Sequence, residues 1–482
     1  MSDRTVSLEE VSRHSTGKDS WIVLNGVVWD FSNFAATHPG GPEVIEKHFG
    51  QDGSGVYNEL HSPTLVERYL GPQKRIGLLV NEEQRCMKVS TTNIPEDTKI
   101  ESEADKPGLE TIISIQEFDS IASRALRPKA YAYISGATEN GITKFTNSDW
   151  YRRIWFRPRV LTGVGTVDLS TTILGQRYAS PIFNAPTSSV MLAHKDGELA
   201  WARGLSECGN TIIIPTMSSY PVEEIVAVLP KNYPFFFQLY VHTERTELEM
   251  LLDKIGKLKP QAIIVTVDLP VMTKRESYMR YLIREREKNP IPTTKKVAPL
   301  LSIMNAVNPE LTWKNIKWMR KRTGLPIFVK GIQSAADARL AFECGCAGIY
   351  ISNHGGRALD TALPSIGTLL EIRASCPEIL DKMEVFIDGG IQRGTDILKA
   401  ICLGASAVCL GRPFLYALAY GEAGVKHAVQ ILNAELATAM GLVGITSLDQ
   451  AHPGLLNTRE LDPFADRGAE DPRARKVRRS RL

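Results

Sequence analysis

The feature that most constrains the fold is a series of eight short apolar runs in the C-terminal part of the chain. Each run is separated from the next by a segment long enough for a helix. Each is apolar throughout, which is typical of strands buried on both faces of a parallel sheet. The runs cover residues 181–185, 211–216, 235–240, 262–268, 326–330, 348–353, 384–389 and 407–412. Eight such strands alternating with helices predict an α/β fold, the (β/α)8 TIM barrel. A doubly wound open sheet is the alternative, but no glycine-rich dinucleotide fingerprint follows the first run.

A shift in composition between about residues 81 and 108 divides the chain. This stretch is rich in Pro, Ser, Thr and charged residues and has no apolar periodicity, which indicates a solvated linker between two units that can move. We therefore predict a small unit over residues 1–80, a linker over 81–108, the barrel over 109–448 and a C-terminal tail over 449–482.

The charge balance excludes some partners. The 482 residues include 57 Lys and Arg against 54 Asp and Glu, a formal net charge of +3, which gives no electrostatic case for nucleic acid or an anionic membrane. No apolar run reaches the roughly 18 residues of a membrane span, and the polar N-terminus lacks the apolar region of a secretory signal. Seven scattered cysteines are typical of buried thiols in a reducing compartment.

Polar residues stand at or just beyond the C-terminal ends of the predicted strands, the face where barrel enzymes build their active sites. Any one of them could simply hydrogen-bond a loop. Polar groups at the ends of six separate strands, however, meet at one rim and predict a functional pocket. These residues are Gln238, Tyr240, Thr266, Asp268, Lys330, Ser352, His354, Asp388, Gly411 and Arg412.

The segment SNHGGRALD, which follows the sixth strand, carries residues suited to acid–base chemistry. His354 can titrate near neutral pH, the two glycines let the backbone approach a ligand, and Arg357 supplies a fork for a carboxylate. Asp268, at the end of another strand, can orient the imidazole and stabilise its protonated form. A glycine turn beside a satisfied core histidine is equally consistent with this segment taken alone.

Two further features indicate an anionic cofactor. Arg412 follows the eighth strand and Asp388-Gly389-Gly390 follows the seventh, the place where barrels commonly bind phosphate. Lys330 is a point charge that can sit against negative charge developing on a cofactor ring. A phosphate corner, a base and a carboxylate-binding arginine together predict oxidation of a small hydroxy acid.

Residues 116–441 resemble the FMN-dependent α-hydroxy-acid dehydrogenase and oxidase family. The matching stretches, in chain order, are RIWFRPRVL, NAPTSS, TMSSY, FQLYV, TVDLP, LPIFVKG, SNHGGRALD, DGGIQRGTDILKA, LGASAVCLGRPF and YGEAGV. The resemblance implies that His354 takes a proton from the substrate and that Asp268 stabilises the imidazolium. It also implies that Arg275 and Arg357 hold or face the substrate carboxylate, with Tyr240 near the hydroxyl.

The active-site tyrosine of the family has two candidate positions here. Counting back without gaps from the RPRV segment selects Tyr133. Aligning the Ser-Gly pair at 135–136 instead places Ala132 there, with Tyr131 and Tyr133 on either side. We predict Tyr133.

The resemblance also implies FMN as cofactor and assigns its contacts. Lys330 would face flavin N1, and Ser188 replaces a small residue beside the flavin. The other positions are Ser218, Gln238, Thr266, Ser352, Asp388, Gly389, Gly390, Gly411 and Arg412. The second phosphate arginine of the family falls at Gln392, so Arg393 is the candidate substitute, and weaker FMN retention is our hypothesis.

Two histidines in the N-terminal unit, His38 and His61, each lie beside a proline-containing turn. Two neutral imidazoles from opposite walls can fill both axial positions of a haem iron, which favours electron transfer over oxygen chemistry. A surface turn is the alternative for the HPGG segment alone. Together with Trp21, Phe34 and the VVWD segment, the pattern resembles a cytochrome b5-like domain, which implies haem b with these two histidines as iron ligands.

A haem unit joined to such a dehydrogenase resembles the flavocytochrome b2 family. The resemblance implies oxidation of a small L-2-hydroxy acid, L-lactate to pyruvate, through FMN and then haem to a one-electron acceptor such as cytochrome c. It also implies a homotetramer in which the tail contacts neighbouring subunits. The alternatives are a 2-hydroxy-acid oxidase that passes electrons from FMN to oxygen, and a haem and FMN electron carrier without turnover.

The ends of the sequence bear on location. The sequence starts almost directly with the haem unit and finishes in Ser480-Arg481-Leu482, a variant of the peroxisomal SKL address. We predict a peroxisomal protein. A chance tripeptide in a basic tail is equally consistent with the sequence, and the mitochondrial intermembrane space or the cytoplasm is then the alternative.

Overall fold

The computed structural model describes residues 4–35, 38, 41–80, 106–288 and 308–465. Most of the predicted linker and the end of the predicted tail, including residues 480–482, lie outside these ranges. The two predicted units on either side of the linker are both described.

The N-terminal unit is a mixed sheet in the order β1-β6-β4-β3-β2, with β5 beside β3. The hairpin between β3 and β4 turns on Asn25 and Gly26, both at positive φ, as a two-residue hairpin turn requires. The strands are β1 (Thr5–Val6), β2 (Ser15–Thr16), β3 (Asp19–Leu24), β4 (Val27–Asp30), β5 (Gln51–Asp52) and β6 (Arg75–Leu79). The helices are α1 (Leu8–Arg13), α2 (Pro42–Glu46), α3 (Ser54–Leu60) and α4 (Leu65–Leu70).

Three helices and three short strands precede the barrel. The strands β8 and β9 form an antiparallel hairpin, and β7 pairs with β18 of the predicted tail, so the start of that tail packs on its own chain. These elements are α5 (Glu117–Ala125), α6 (Pro128–Ser135), α7 (Ile142–Arg152), β7 (Trp155–Phe156), β8 (Thr171–Ile173) and β9 (Gln176–Tyr178), with β18 at Leu456–Asn457.

The predicted barrel is confirmed. All eight predicted strands lie in one parallel sheet in the order β10-β17-β16-β15-β14-β13-β12-β11. They are β10 (Ile182–Asn184), β11 (Ile213–Pro215), β12 (Phe236–Leu239), β13 (Ile263–Thr266), β14 (Ile327–Ile332), β15 (Gly348–Ile351), β16 (Glu384–Ile387) and β17 (Ala407–Leu410).

The seam between the first and the last strand of this order is bridged by one side chain. The Asn184 amide donates to Ile213 O at 2.9 Å and accepts from Ile213 N–H at 2.8 Å. One amide thereby imitates a pair of backbone hydrogen bonds and closes the barrel.

Helices surround the barrel. The longest of them, α18 (Gly421–Val443), packs against α8 (Gly197–Glu207) and α16 (Gly394–Cys402). The helices are α8 (Gly197–Glu207), α9 (Val222–Ala227), α10 (Arg245–Leu258), α11 (Glu276–Lys288), α12 (Trp313–Thr323), α13 (Ala335–Glu343), α14 (Ser365–Ser375), α15 (Glu378–Lys382), α16 (Gly394–Cys402), α17 (Arg412–Ala417) and α18 (Gly421–Val443).

The interior of the barrel changes character along the strands. Because strand side chains alternate, residues two apart point the same way. An aromatic floor of four buried rings, which we define as Phe183, Phe236, Phe328 and Phe386, has centroids 4.9–6.2 Å apart. Two residues further along these strands, toward their C-terminal ends, come Ala185, Gln238, Lys330 and Asp388. The aromatic floor therefore fills the N-terminal part of the barrel interior, and the space for a pocket is at the C-terminal face.

Two other predictions can be compared with the described residues. Of the helices in these ranges, none is long and apolar enough to cross a bilayer. The six cysteines described are free thiols and five of them are buried, in agreement with the composition.

Candidate active site

A pocket opens at the C-terminal ends of the barrel strands, as predicted. The predicted residues that line it are Tyr133, Ser188, Gln238, Tyr240, Arg275, Lys330, His354, Arg357, Asp388, Gly389, Gly390, Gly411 and Arg412. Three further predicted residues have buried side chains that hydrogen-bond to lining residues: Asp268 to His354, Thr266 to Gln238 and Ser352 to Lys330. Residues that lie far apart in the sequence thus meet at one rim.

His354 and Asp268 form a hydrogen-bonded pair. His354 Nδ1 lies 2.9 Å from Asp268 Oδ1, which leaves Nε2 as the ring nitrogen available to a substrate. The histidine sits in a turn where it and the next two residues, Gly355 and Gly356, all have positive φ. A Cβ on Gly356 would lie 2.5 Å from Lys144 N, so only glycine allows this close approach.

The electrostatics lower the pKa of both members of this pair. Burial lowers the pKa of His354 and outweighs the upward effect of the Asp268 carboxylate. Burial raises the pKa of Asp268, but the charges of His354 and Lys330 outweigh it and hold that pKa below the ordinary value. A neutral imidazole next to an ionised carboxylate is the arrangement of a general base with its stabilising partner.

Tyr133 lies between two arginines. The guanidinium carbons of Arg275 and Arg357 are 5.7 and 5.8 Å from its ring centroid, and its hydroxyl is 3.4 Å from Ser188 Oγ. Burial raises the pKa of Tyr133, yet the two guanidinium charges bring it below the ordinary value. Tyr131, on the other side of Ala132, donates its hydroxyl to Asp119.

The arginines suit a carboxylate. Arg275 Nε is buried without a hydrogen-bond partner among the described groups, and Arg357 is fixed by donating to the carbonyls of Tyr133 and Gly136. Tyr240 stands on the same wall, and burial followed by the Asp268 charge raises its pKa, so its phenol remains a proton donor. Two cations and a neutral hydroxyl can orient a small hydroxy acid.

Lys330 stands at the centre of a buried polar chain. Its Nζ donates to Ser352 Oγ at 3.2 Å, Ser352 Oγ donates to Asp388 Oδ1 at 2.7 Å, and Lys330 Nζ lies 3.9 Å from carboxylates of both Asp268 and Asp388. A buried cation held this firmly supplies a fixed positive charge to whatever ring occupies the pocket.

One corner of the pocket suits a phosphate. Gly389 and Gly390 have positive φ, and Arg412 is held there by donating to the carbonyls of Gly136 and Gly355 at 2.7 and 3.0 Å. Backbone nests of this kind and a guanidinium are typical of phosphate sites.

The structure does not bring two of the predicted residues to the pocket wall. Arg393 precedes α16 and pairs with Glu435 at 2.7 Å, so it does not replace the cation missing at Gln392. Ser218 turns its hydroxyl to Tyr220 O at 2.6 Å, and its neighbour Met217 lines the pocket.

His38 and His61 face each other in the N-terminal unit, with ring centroids 6.3 Å apart. Metal–imidazole bonds of about 2 Å on both sides of an iron place two such centroids roughly 6 Å apart, so the separation fits a haem. His38 Nδ1 lies 3.3 Å from Gly41 O, and His61 Nδ1 is buried without a partner among the described groups. Burial lowers the pKa of both, that of His61 to about 4, which keeps the neutral form that binds iron.

The haem unit contacts the barrel beside the pocket. Ser62, which follows the second histidine, donates its N–H to Ser219 O at 2.9 Å. Glu59 pairs with Arg127 and Lys129 on either side of the start of α6, at 3.1 Å each. The two predicted cofactor sites therefore lie on neighbouring surfaces.

Comparison with protein families decides the assignment. The family of FMN-dependent dehydrogenases matches residues 122–458. The chain belongs to the FMN-dependent dehydrogenase family. The cytochrome b5-like haem/steroid binding domain matches residues 7–80, and the histidine pair selects haem between the two. FMN and haem b are the cofactors of this dehydrogenase.

Relatives of this FMN-dependent dehydrogenase fall into two groups. The L-lactate dehydrogenase (cytochrome) of Saccharomyces cerevisiae is 36% identical over 481 residues, which cover 96% of this chain and 81% of that protein. Glycolate oxidase 3 of Arabidopsis thaliana is 38% identical over 349 residues, covering 70% of this chain and 94% of that protein. A double mutant of flavocytochrome b2 solved with pyruvate bound matches with a TM-score of 0.69 and 36% identity, over 77% of this chain and 93% of that one.

The dehydrogenase pocket also contains residues that the sequence reasoning missed. They are mostly apolar, and several come from the segment after β13: Met217, Leu269, Met272, Tyr278 and Met279. The position of Arg275 just before α11 was the available signal, because Tyr278 and Met279 lie within the first helical turn after it.

Proposed function

We propose that the protein oxidises L-lactate to pyruvate and passes the electrons through FMN and haem b to a one-electron acceptor such as cytochrome c. The observation that carries the proposal is the His354–Asp268 pair beside Arg275 and Arg357, in a pocket next to the haem unit. The S. cerevisiae L-lactate dehydrogenase (cytochrome), which is similar across both units, supports this choice of substrate and acceptor.

The residues of the chain divide the work of substrate binding. Arg275 and Arg357 bind the carboxylate from two sides, and Tyr133 between them keeps the guanidinium groups apart. Tyr240 donates to an oxygen of the substrate. This arrangement orients the hydroxyl-bearing carbon toward His354.

Proton transfer falls to His354. Its Nε2 takes a proton from the substrate, and the Asp268 carboxylate at Nδ1 stabilises the imidazolium that results. FMN, when bound, supplies a two-electron acceptor and haem b a one-electron relay. Lys330 and Arg412 would hold the flavin ring and the phosphate, respectively.

A 2-hydroxy-acid oxidase is the second candidate, because glycolate oxidase 3 of A. thaliana is similar over the barrel. The contacts of Ser62 and Glu59 with the barrel favour the dehydrogenase, since they place the haem unit beside the pocket.

An absorbance experiment tests the proposal. The purified holoenzyme is mixed anaerobically with L-lactate, and flavin and haem bands are followed. We expect flavin bleaching followed by haem reduction. Flavin bleaching with unchanged haem would select the oxidase, and the absence of bleaching by L-lactate and glycolate alike would refute both activities. Glycolate and D-lactate serve as substrate controls.

A homotetramer remains a further part of the proposal. Val160, Leu161 and Leu442 are exposed apolar residues, and the Arg159 N–H donates to Val443 O, which brings their segments together. An exposed apolar patch marks an interaction surface. Light scattering should give a mass of about four 53.4 kDa chains, reduced by Leu161→Asp and unchanged by the same substitution at exposed Val271.

The peroxisomal address stays a prediction that rests on Ser480-Arg481-Leu482. A fluorescent reporter carrying the last ten residues should enter peroxisomes, and the same reporter without the final tripeptide should not. A diffuse signal from the first reporter would contradict the prediction.

A further inference from the structure

Glu198 is a buried carboxyl group to which the proposed reaction gives no role. It lies in the first turn of α8, and its side chain is completely buried. Buried glutamates are rare unless a cation accompanies them. In the described part of the chain no cation pairs with this one, and its bonds go to backbone: Oε1 accepts from Ser219 N–H at 2.9 Å, while Oε2 has no partner.

The segment that Glu198 holds, which we term the 217–220 loop, touches both halves of the protein. At its start Met217 lines the flavin pocket. In its middle Ser219 O accepts from the N–H of Ser62, the residue after haem ligand His61. The loop thus connects the pocket to the haem unit by a short path, which is covalent from Met217 to Ser219 and hydrogen-bonded from Ser219 to Ser62.

Two further hydrogen bonds hold the 217–220 loop in place. Ser219 Oγ accepts from Met191 N–H at 3.3 Å, and Ser218 Oγ donates to Tyr220 O at 2.6 Å. These bonds come from the segment preceding α8 and from the loop itself. Glu198 is the side chain that ties the loop to the helix, and it does so at the residue that meets the haem unit.

We propose that Glu198 is a positioning residue for electron transfer, which fixes the 217–220 loop as one of the docking contacts of the haem unit. The inference rests on the proposed function, because it assigns Glu198 to the flavin-to-haem step. The effect of Glu198 is indirect. Its hydrogen bond to the N–H of Ser219 orients the backbone of Ser219, and this orientation directs the Ser219 carbonyl toward the N–H of Ser62. Loss of the anchor shifts the docked haem unit without removing any group from the substrate pocket.

The test separates the two halves of the reaction. In stopped-flow measurements on holoenzyme with L-lactate, Glu198→Ala should reduce flavin at a rate within about twofold of the unsubstituted protein. The haem should be reduced about 10-fold more slowly, because loss of an anchoring hydrogen bond of about 1.4 kcal/mol lowers the population of the productively docked haem unit by that factor. Glu198→Gln keeps an acceptor for Ser219 N–H and should restore most of the haem rate.

Controls keep the result specific. Glu207→Gln, at the exposed C-terminal end of the same helix and paired with Lys426, should change neither rate. Haem content and thermal melting are measured for each variant, and Glu198→Asp, which shortens the anchor, takes the place of Glu198→Ala if that variant does not fold.

Two outcomes would overturn the inference: an unchanged haem rate in folded Glu198→Ala or Glu198→Asp, or an equal slowing of both steps. Photoreduction of the flavin in the absence of substrate, followed by the haem band, gives the same comparison without L-lactate. Failure of L-lactate to bleach the flavin would therefore count against the proposed function, and normal haem reduction after photoreduction would count against the role of Glu198.

Discussion

The two cofactor sites of this protein are built in opposite ways. The proposed haem site depends on two side chains, His38 and His61, whose rings face each other 6.3 Å apart. The flavin pocket instead collects one or two side chains from each of many strand ends, and each makes a different contact. The difference teaches that a concentrated site fails as a whole when one residue is lost, whereas a distributed site loses one property at a time.

The largest effect should come from the concentrated site. His61→Ala removes one of the two histidines that would bind the haem iron, so we expect loss of the haem absorbance bands and of cytochrome c reduction, with flavin reduction by L-lactate retained. Absorbance spectra and a dye-linked assay measure these effects. His14→Ala, in the same unit but bonded to Asp19, should keep the haem. A His61→Ala protein that still reduced cytochrome c would show that the haem site does not depend on this pair.

In the flavin pocket, His354→Gln should slow flavin reduction and leave FMN binding intact. Removing the base should slow flavin reduction about 10²-fold to 10⁴-fold, the usual contribution of a general base, while FMN stays bound. Stopped-flow rates and the FMN-to-protein ratio give the two readouts. His242→Gln, at the same end of the barrel, is the control, since His242 bonds to Glu244 N–H. Normal turnover by His354→Gln would exclude its assignment as the base.

The pH profile probes the partner of that base. Because the base must be neutral, and burial lowers the pKa of His354, flavin reduction should lose activity only below about pH 6.5, the ordinary histidine value. The Asp268 carboxylate raises this pKa, so Asp268→Asn should move the acidic limb to lower pH. The maximal rate should fall as well, since the imidazolium loses its stabilising charge. If the acidic limb of the Asp268→Asn profile moved to higher pH, the Asp268 carboxylate would not raise the pKa of His354 as proposed.

The smallest effect should appear where the two sites meet. Glu59 pairs with Arg127 and Lys129 at the surface, and partly exposed ion pairs contribute about 0–1 kcal/mol each. Glu59→Gln should therefore slow haem reduction roughly threefold at ~0.01 M salt, and the difference should vanish at about 1 M, where charges are screened. Glu67→Gln on α4 serves as the control. A difference that persisted at high salt would point to packing instead of charge.

The same contrast explains what could be predicted from sequence. The barrel strands were found because strands buried on both faces are continuous apolar runs, although each observed strand but β14 ends before its predicted end. The polar residues at the rim of the barrel were predicted from their positions at the C-terminal ends of the strands. Tyr133 was predicted by counting back from the RPRV segment, and the structure gives the physical reason: Tyr131 and Tyr133 are two apart on α6, and about 200° of helix rotation separates them, so only Tyr133 faces the pocket.

Long-range pairing limited the other predictions. Arg393 was a reasonable substitute by sequence proximity, but it pairs with Glu435 on α18, a helix distant in sequence, and this pairing holds it away from the phosphate corner. Tyr278 and Met279 were missed because apolar lining residues resemble ordinary core residues in a sequence. Neither the partner of an arginine nor the direction of a methionine can be inferred from local pattern.

The aromatic floor of the barrel has a kinetic consequence. Since four phenylalanines fill the N-terminal end, substrate arrival, product departure and contact with the haem unit all use the C-terminal face. The 217–220 loop lies at that same opening. Exchange of small molecules and docking of the haem unit therefore share one opening, and we expect a docked haem unit to slow that exchange.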